Sequence, residues 1–359
     1  MIIGKPFLGS AALIVIALTL FRWNSVFFFA PLPADPLNDL SGRADERTCI
    51  NCHEQAEQFH KTGHANALSR STNPRSLDFL HKFSSCDSAH AEGTQIDTES
   101  PIPRAETLVR DSNAHAVLDW CFGSGRHART WVSTMGDSQG GTDLLEFRWT
   151  WYHEIDGFDI TPGQSEKHFP THLGPLGVLY DQAKARRCFG CHSSYLGVED
   201  GRLHLEDIEM GVNCQRCHGA RAEHVASEGA VHDDFWQTAS PIEAVNRCAQ
   251  CHRRPEEVEG SDTRPEDPEL TRFQPVGLLR SKCFTASQRM TCTTCHDPHR
   301  PLEAQDSLGD WQCLQCHDPS GEHDPLCGSG ESENCLQCHM PKVLSTDPIR
   351  FTDHWIRVR

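Results

Sequence analysis

One short pattern, Cys-x-x-Cys-His, recurs seven times and uses most of the eighteen cysteines of this 359-residue chain. We number its copies motifs 1 to 7 in chain order. Their first cysteines are Cys49, Cys188, Cys214, Cys248, Cys292, Cys313 and Cys335. Their second cysteines are Cys52, Cys191, Cys217, Cys251, Cys295, Cys316 and Cys338. Their histidines are His53, His192, His218, His252, His296, His317 and His339.

This spacing suits covalent attachment of haem. Two thiols three positions apart can form thioethers to the two vinyl groups of a haem, while the adjacent imidazole reaches the iron as proximal ligand. The alternative is zinc, because Cys-x-x-Cys is also half of a tetrathiolate ribbon. Ribbons need no His after each pair, and their pairs combine in twos, which seven copies cannot do. The sequence therefore predicts seven covalently attached haem c groups.

The second, distal ligand of each iron decides what such a haem can do. An iron with two protein ligands usually passes electrons, whereas an iron with one has an open position for a substrate. Histidine is abundant, at 22 residues, while methionine is scarce, at five. Met340 directly follows His339 and cannot easily fold back onto the same iron. Predominantly His/His ligation is therefore expected, and with it low reduction potentials.

The elements that carry the motifs differ along the chain. Motifs 2 to 7 recur at irregular intervals, which is no solenoid period and favours a helical body in which each motif opens a short helix. Before them, Leu108 to Cys121 and Leu144 to His153 carry β-branched and aromatic residues between breakers, which predicts antiparallel strands. The sequence Gly123-Ser124-Gly125 is interpreted as a tight turn. The predicted fold is mainly α with extensive loop, packed around haem, plus a small β-rich segment between motifs 1 and 2.

Four tryptophans fall in the β-rich segment, namely Trp120, Trp131, Trp149 and Trp151. Core packing is their default role, and a cover over the first haem is the alternative. After Cys49 to His53, residues 54 to 70 have a helix-compatible composition. His60 and His64 would share one face if that helix continues past them.

Four segments are predicted. Residues 1–34 hold Lys5 and an apolar run from Pro6 to Phe21, without a good Ala-x-Ala cleavage site, so an uncleaved membrane anchor is favoured over a removed signal peptide. Either form places the haem-bearing part in the periplasm or on the outer face of the cytoplasmic membrane. Residues 35–83 form a tether and first haem module, 84–187 the β-rich segment, and 188–359 a six-haem body.

The composition limits which partners the chain is expected to bind and how its core can be filled. A net charge of −17 argues against nucleic acid or anionic lipid as a binding partner and favours a basic or neutral redox partner. Only 37% of residues are hydrophobic, so porphyrin faces are expected to complete the core and the chain is not expected to fold stably without haem. The remaining cysteines could form two bridges, Cys86 with Cys121 and Cys283 with Cys327, or stay free.

Several further motifs carry a family resemblance that covers nearly all of residues 45 to 359. They are Cys49-Ile-Asn-Cys-His with Thr62-Gly-His-Ala, Asp119-Trp-Cys-Phe-Gly-Ser-Gly-Arg-His-Ala, Trp151-Tyr with Thr161-Pro-Gly, Cys214-Gln-Arg-Cys-His-Gly with His224, Cys283-Phe, Cys292-Thr-Thr-Cys-His-Asp-Pro-His299, Cys335-Leu-Gln-Cys-His-Met-Pro-Lys342 and Asp353-His-Trp-Ile-Arg. The chain resembles the multihaem cytochromes c related to pentahaem nitrite reductase and octahaem hydroxylamine oxidoreductase. It is most similar to uncharacterised members often fused to tetratricopeptide repeats.

The resemblance implies which histidines are distal ligands. The nominees are His64, His224, His299 and His354, followed by His127 and His168. A seventh distal ligand could come from His60, His172, His204 or His232, or be missing. The chain lacks the Cys-x-x-Cys-Lys of nitrite reductase, and none of its three tyrosines matches the cross-linking tyrosine of hydroxylamine oxidoreductase.

Two functions are consistent with these features. The first is electron transfer through packed haems, between a quinol-linked or soluble donor and a terminal reductase. The alternative is a reductase or oxidase of a small nitrogen or sulfur compound at one five-coordinate haem. In that case Arg126, His127 and Lys342 are the residues expected to supply protons and hold an anion.

Overall fold

The computed structural model describes residues 41–358 except 110–111, 137–140, 165–172, 259–263, 265, 306–308 and 318–333. The described residues form one compact unit. The predicted anchor or signal segment, His168, His172 and Cys327 lie outside the described residues. In the part of the chain that is described, no helix has both the length and the apolar character needed to cross a membrane.

Thirteen strands lie in the described residues, and every pairing between them is antiparallel. They are β1 Leu68–Arg70, β2 Thr94–Asp97, β3 Arg104–Val109, β4 Ser112–Val117, β5 Trp120–Phe122, β6 Ala128–Gly136, β7 Thr142–Tyr152, β8 Gly157–Ile160, β9 Gly177–Tyr180, β10 Ser193–Glu199, β11 Arg202–Met210, β12 Lys342–Thr346 and β13 Ile349–Thr352.

The described helices are short. The α-helices are α1 Gln55–Phe59, α2 Pro74–His81, α3 Asp87–Ala91, α4 Gln182–His192, α5 Cys214–His218, α6 Ala222–Ala226, α7 Phe235–Thr238, α8 Pro241–His252, α9 Pro255–Val258, α10 Gln274–Arg280, α11 Lys282–Ala286, α12 Trp311–Leu314 and α13 Cys335–His339. Short 3-10 helices cover Glu46–Asn51, Lys82–Ser85, Pro268–Arg272, Cys292–Thr294 and Leu302–Ala304.

The main sheet has six strands in the order β1-β5-β6-β7-β8, with β9 pairing against the other end of β7. A three-stranded sheet, β2-β3-β4, accompanies it, and β10-β11 and β12-β13 are separate hairpins. The predicted turn at Gly123 joins β5 to β6. Its φ of +95° is a left-handed conformation, and a Cβ there would meet the carbonyl oxygen of Ala128 at 2.5 Å, so glycine is required.

The strand β7 organises the core because its side chains alternate between two faces. Leu145, Phe147, Trp149 and Trp151 all enter one hydrophobic cluster, which also contains Trp131 of β6. The predicted core role of the tryptophans is therefore confirmed for this cluster. The cluster is closed from outside by residues of α2 and the 3-10 turn after it, including Leu80 and Phe83.

A second cluster attaches the sheet to motif 2. Phe189 of α4 is fully buried and lies edge-on to Trp120 and Phe122, with ring centroids 5.2 and 5.1 Å away. The helix is started by Asp181, whose carboxylate accepts a hydrogen bond from the backbone N–H of Lys184. Trp120 thus packs beside the second haem motif, on the residue next to Cys188, whereas the alternative prediction placed the tryptophans over the first.

The prediction of a mainly α fold was wrong. Of the described residues, 37% are helical and 26% are in strands. The strands predicted for 108–121 and 144–153 are present, but the sheet they form is large, and hairpins also follow motif 2 and motif 7. The physical reason is that Cys-x-x-Cys-His needs only one helical turn, so a high count of motifs does not require a high helix content.

Two local predictions also need correction. The structure begins a helix at the motif for α5 and α13, but α4 and α8 end on their motifs, at His192 and His252. After motif 1, α1 ends at Phe59, so His60 and His64 do not share a helical face. Of the two alternatives left open for Cys86 and Cys121, a bridge or free cysteines, the structure has free thiols, both in the sheet core.

The sheet core should carry a large part of the stability of this region. Replacing Trp131, which is fully buried, by alanine should cost about 3–5 kcal/mol of unfolding free energy, because it leaves a cavity against β7. Denaturant unfolding of the holoprotein measures this. The control is Ile155→Ala, at a side chain 48% exposed in the turn after β7, which should change stability by less than about 0.5 kcal/mol. Equal effects of the two substitutions would contradict this assignment of the core.

Candidate haem centres

Each motif folds as one helical turn, which puts its three chemical groups on one side. In motifs 1, 5 and 6 the backbone N–H of the histidine donates to the carbonyl of the first cysteine, at 2.9, 3.0 and 2.9 Å. Positions i, i+3 and i+4 of a helical turn share a face. Two thiols and one imidazole therefore point the same way, as attachment of a porphyrin and its iron requires.

Four motif histidines face a second imidazole from another part of the chain. The ring centroids are separated by 6.0 or 6.1 Å in every case. The pairs are His53 with His224, His64 with His252, His218 with His299, and His296 with His354.

This distance fits a metal ion between the rings. Metal–imidazole bonds are about 2 Å long and each centroid lies about 1 Å behind its ligating nitrogen, so two imidazoles on opposite sides of one ion have centroids roughly 6 Å apart. Direct stacking of two rings would bring them closer. The residues present thus fit haem iron in each of the four pairs.

Hydrogen bonds at Nδ1 orient these rings and leave Nε2 for the metal. A carbonyl or carboxylate oxygen that accepts from Nδ1–H fixes the tautomer in which Nε2 carries the lone pair. The contacts are His192 to the carbonyl of Ala67 at 2.9 Å, His224 to that of Val231 at 2.8 Å, His339 to that of Arg357 at 3.0 Å, His354 to that of Thr352 at 2.9 Å, His252 to Oε1 of Gln274 at 3.1 Å, and His299 to Oδ1 of Asp297 at 3.1 Å.

Burial keeps the imidazoles of His64 and His354 neutral. Desolvation by the surrounding protein lowers the pKa of His64 to about 4, with smaller contributions from His252 and His296. Desolvation likewise lowers the pKa of His354 to about 4. Because only the neutral imidazole binds a metal, these residues are ready to act as ligands at neutral pH.

Cysteines of different motifs lie close to one another, so the motifs are neighbours in space. The sulfur atoms of Cys49 and Cys214 lie within 4.8 Å of each other. The thiols of Cys191 and Cys251, of Cys248 and Cys292, and of Cys313 and Cys335 are close enough to influence each other's pKa. Weaker electrostatic contacts join Cys217 to Cys248 and Cys295 to Cys316. Motifs 1, 3, 4, 5, 6 and 7 therefore follow one another in space, and motif 2 lies against motif 4.

Motif 1 is held on motif 3 by a carboxylate at the start of α5. Glu46 accepts from the backbone N–H groups of Cys214 and Gln215, at 3.3 and 3.2 Å. The side chain of Gln215 in turn exchanges two hydrogen bonds with the backbone of Ala44, both at 2.9 Å. These contacts attach the N-terminal module to the rest of the unit. No sequence pattern around Glu46 or Gln215 predicts them.

The nominated distal histidines divide into three groups. His64, His224, His299 and His354 are the four that face a motif histidine. His127 lies 4.9 Å from the ring of Phe351. His168 lies outside the described residues.

The reserve candidates are placed differently. His60 and His232 are exposed, and His204 lies between Glu199 and Glu206, at 3.7 and 3.1 Å. His172 lies outside the described residues.

Three motif histidines have other surroundings. Among the described residues, no imidazole faces His192, His317 or His339 across a metal-sized gap. The ring of Phe122 lies 5.0 Å from that of His192, nearly perpendicular to it. Arg126 and Lys342 are both within electrostatic reach of His127, and Arg126 is ion-paired with Glu303.

Comparisons with known proteins find similarity to cytochromes and to one sulfite reductase. The family model described as cytochrome c554 and c-prime matches residues 165–219, which contain motifs 2 and 3. The dissimilatory sulfite reductase MccA of Wolinella succinogenes is 22% identical over 192 residues, which are 42% of this chain and 25% of that protein. The multiheme cytochrome MtrA of Shewanella baltica is 24% identical over 182 residues, which are 45% of this chain and 55% of that protein.

A solved structure shares the fold. The crystal structure of the outer cell wall cytochrome OcwA superposes with a TM-score of 0.51 over 88% of this chain and 80% of that one, at 13% sequence identity. The aligned regions cover a quarter and about half of the lengths of the two curated relatives.

The pairing makes a testable assignment of ligands. In His354→Ala, the iron bound by His296 should lose its sixth ligand, so electron paramagnetic resonance of the oxidised holoprotein should show one low-spin ferric haem replaced by a high-spin one. The control is His60→Ala, at an exposed histidine, which should leave the spectrum unchanged. An unchanged spectrum in His354→Ala, at full haem content, would rule out this pair.

The ring planes predict a second spectroscopic difference. His64 and His252 are nearly perpendicular, at 83°, whereas the planes of the other three pairs differ by 20° to 34°. Perpendicular imidazoles raise both of the iron π orbitals equally, so that haem should give the most anisotropic low-spin signal. His64→Ala should abolish that signal and His224→Ala should abolish a rhombic one. Loss of the same signal in both variants would contradict the geometry.

Proposed function

We propose that this chain, a multihaem c-type cytochrome carrying haem c, transfers electrons along seven closely packed haems, most of them with two imidazole ligands. The observation that carries the proposal is the set of four imidazole pairs at metal-bridging distance. An iron with both axial positions filled by protein exchanges electrons without binding a substrate.

The contacts between motifs support a continuous path. Each cysteine of a motif would attach one edge of a porphyrin. Two neighbouring cysteines from different motifs would therefore place two porphyrin edges close together. The spatial order 1-3-4-5-6-7, with motif 2 beside motif 4, leaves every haem next to another one. In this proposal motifs 1, 2 and 7 are the ends at which electrons enter or leave.

The cellular location and the partners that we propose follow from the chemistry of haem attachment. Thioether attachment of haem takes place outside the cytoplasm, so we place the chain in the periplasm or on the outer face of the cytoplasmic membrane. Redox proteins are its partners, a quinol-linked or soluble donor and a terminal reductase. We also propose the relationship with the nitrite reductase and hydroxylamine oxidoreductase cytochromes, on the motifs quoted above.

Ligand addition tests the proposal. Cyanide, nitrite and hydroxylamine should leave the absorption spectrum of the four imidazole-paired haems unchanged, because each iron already holds two strong ligands. The measurement combines a haem-to-protein ratio, expected at about seven, with optical and paramagnetic spectra before and after addition. A protein in which four or more haems respond to these ligands would overturn the assignment as an electron carrier.

A reductase or oxidase of a small nitrogen or sulfur compound is the alternative, because it needs only one haem iron without a second protein ligand. Among the described residues, His192, His317 and His339 face no second imidazole. One haem that is high-spin in the absence of added ligand, and whose spectrum changes when nitrite, hydroxylamine or sulfite is added, would support this alternative. Arg126→Gln and Lys342→Gln should then lower turnover, and unchanged turnover in both would reject a role for that cluster.

A further inference from the structure

A cleft beside motif 2 contains positive charge without a matching negative charge. Its volume is about 350 Å³, and its walls come from the segment 65–73, the start of α2, Arg129 of β6 and Met210 of β11. Three of its ten lining residues are arginines, namely Arg70, Arg75 and Arg129, and none is acidic. In a chain of net charge −17 such a surface is unusual.

The buried arginine is the feature that calls for an anion. Arg129 is 2% exposed, and its guanidinium donates to Oγ of Ser76 at 3.2 Å and to the carbonyl of Ser124 at 2.9 Å. Within the described part of the chain, no carboxylate forms an ion pair with it. Burying a charge is costly unless an opposite charge compensates it, and hydrogen bonds to neutral groups compensate only in part.

Neighbouring groups do not supply that charge. The thiol of Cys121 lies 3.4 Å from the guanidinium, but burial raises the pKa of this thiol, so it stays protonated and neutral. The ring of Phe79 faces the guanidinium at 4.8 Å, a cation–π contact that is weaker than an ion pair. Asp119 lies within electrostatic reach of Arg70 and offsets part of its charge, but it forms no ion pair with Arg129 and its Oδ2 accepts from the backbone N–H and the hydroxyl of Thr134.

The rim of the cleft adds donors that suit an oxyanion. Arg70 is held over the ring of Trp120 at 3.5 Å, which fixes the direction of its otherwise flexible side chain. Arg75 lies in the first turn of α2, an eight-residue helix whose N-terminal end also favours negative charge. The hydroxyl groups of Ser69 and Thr72 and the amide of Asn66 complete the lining.

The cleft is also adjacent to haem ligands. Ala65 follows His64, and Asn66 precedes Ala67, whose carbonyl accepts from Nδ1 of His192. A negative group in the cleft would therefore lie close to the motif 2 haem, and its charge would change the potential of that haem.

From these observations we propose that the cleft formed by Arg70, Arg75 and Arg129 is an oxyanion-binding site. The ligand is a carboxylate or inorganic oxyanion that makes charge-assisted hydrogen bonds to the guanidinium groups. It is supplied either by a propionate of the bound haem or by a free oxyanion from solution. The site goes beyond the proposed electron transfer and does not depend on it.

The test uses the holoprotein and two exposed arginines, so that folding is not at risk. Binding of sulfate is measured by calorimetry for the native protein, for Arg70→Gln/Arg75→Gln and for Arg289→Gln, which changes an exposed arginine elsewhere. A free-oxyanion site predicts one sulfate per chain, weakened roughly tenfold or more in the double variant and unchanged in the control.

A propionate source predicts a different result. The native protein then binds no sulfate, but in the double variant the potential of one haem falls and the pH at which that potential changes moves upward, because the propionate loses its cationic partners. Arg289→Gln leaves that haem unaffected. If the double variant matches the control both in sulfate binding and in every haem potential, the site does not exist. Either result is independent of whether the haems respond to cyanide, which tests the proposed function.

Discussion

The constraint on which this structure depends is the pairing of four motif histidines with a second imidazole, at distances that fit one iron between the rings. In the described residues, none of these four motifs receives its facing histidine from its own segment. His224 follows motif 3 and faces motif 1, His299 follows motif 5 and faces motif 3, and His354 follows motif 7 and faces motif 5. An iron held by such a pair would join two distant segments, so a bound haem would act as a cross-link between parts of the chain. Because the unfolded chain cannot offer both imidazoles at once, ligation energy becomes folding energy.

The sheet region is stabilised differently. Its core is built from side chains alone, with three tryptophans and Phe147 on one face of β6 and β7. The helix α4 connects the two parts, since Phe189 packs on the sheet while Cys188 and His192 of the same helix belong to motif 2. A low overall hydrophobic content is therefore compatible with a dense core, because apolar residues are concentrated where no haem is available to fill space.

How well a feature could be predicted from the sequence depends on how far apart in the chain the interacting residues are. Cys-x-x-Cys-His is a local pattern, and local hydrogen bonds form its turn, so the attachment residues are readable directly. Strand alternation in 144–153 is equally local. Which imidazole faces which motif depends on contacts between distant segments, and the resemblance could nominate His64, His224, His299 and His354 without assigning their partners.

The hairpin β10-β11 was missed because Ser193 to Met210 mixes polar and apolar residues without a strict alternation. Arg129 gave no signal, since burial of an arginine cannot be read from its neighbours in sequence.

The charges around motif 2 affect how readily a haem at this motif would be reduced. Reduction adds a negative charge to a haem, so nearby guanidinium groups favour it and nearby carboxylates oppose it. Arg70, Arg75 and Arg129 lie on one side of this region. On another, Glu146 hydrogen-bonds Tyr180 and Gln164 within electrostatic reach of Cys188, and burial raises the pKa of its carboxyl. A proton on Glu146 would remove the charge that opposes reduction, whereas the arginines stay charged at all accessible pH values. Motif 2 therefore has fixed positive charge on one side and a buried carboxyl on another, so the balance of charge around it depends on the protonation of Glu146.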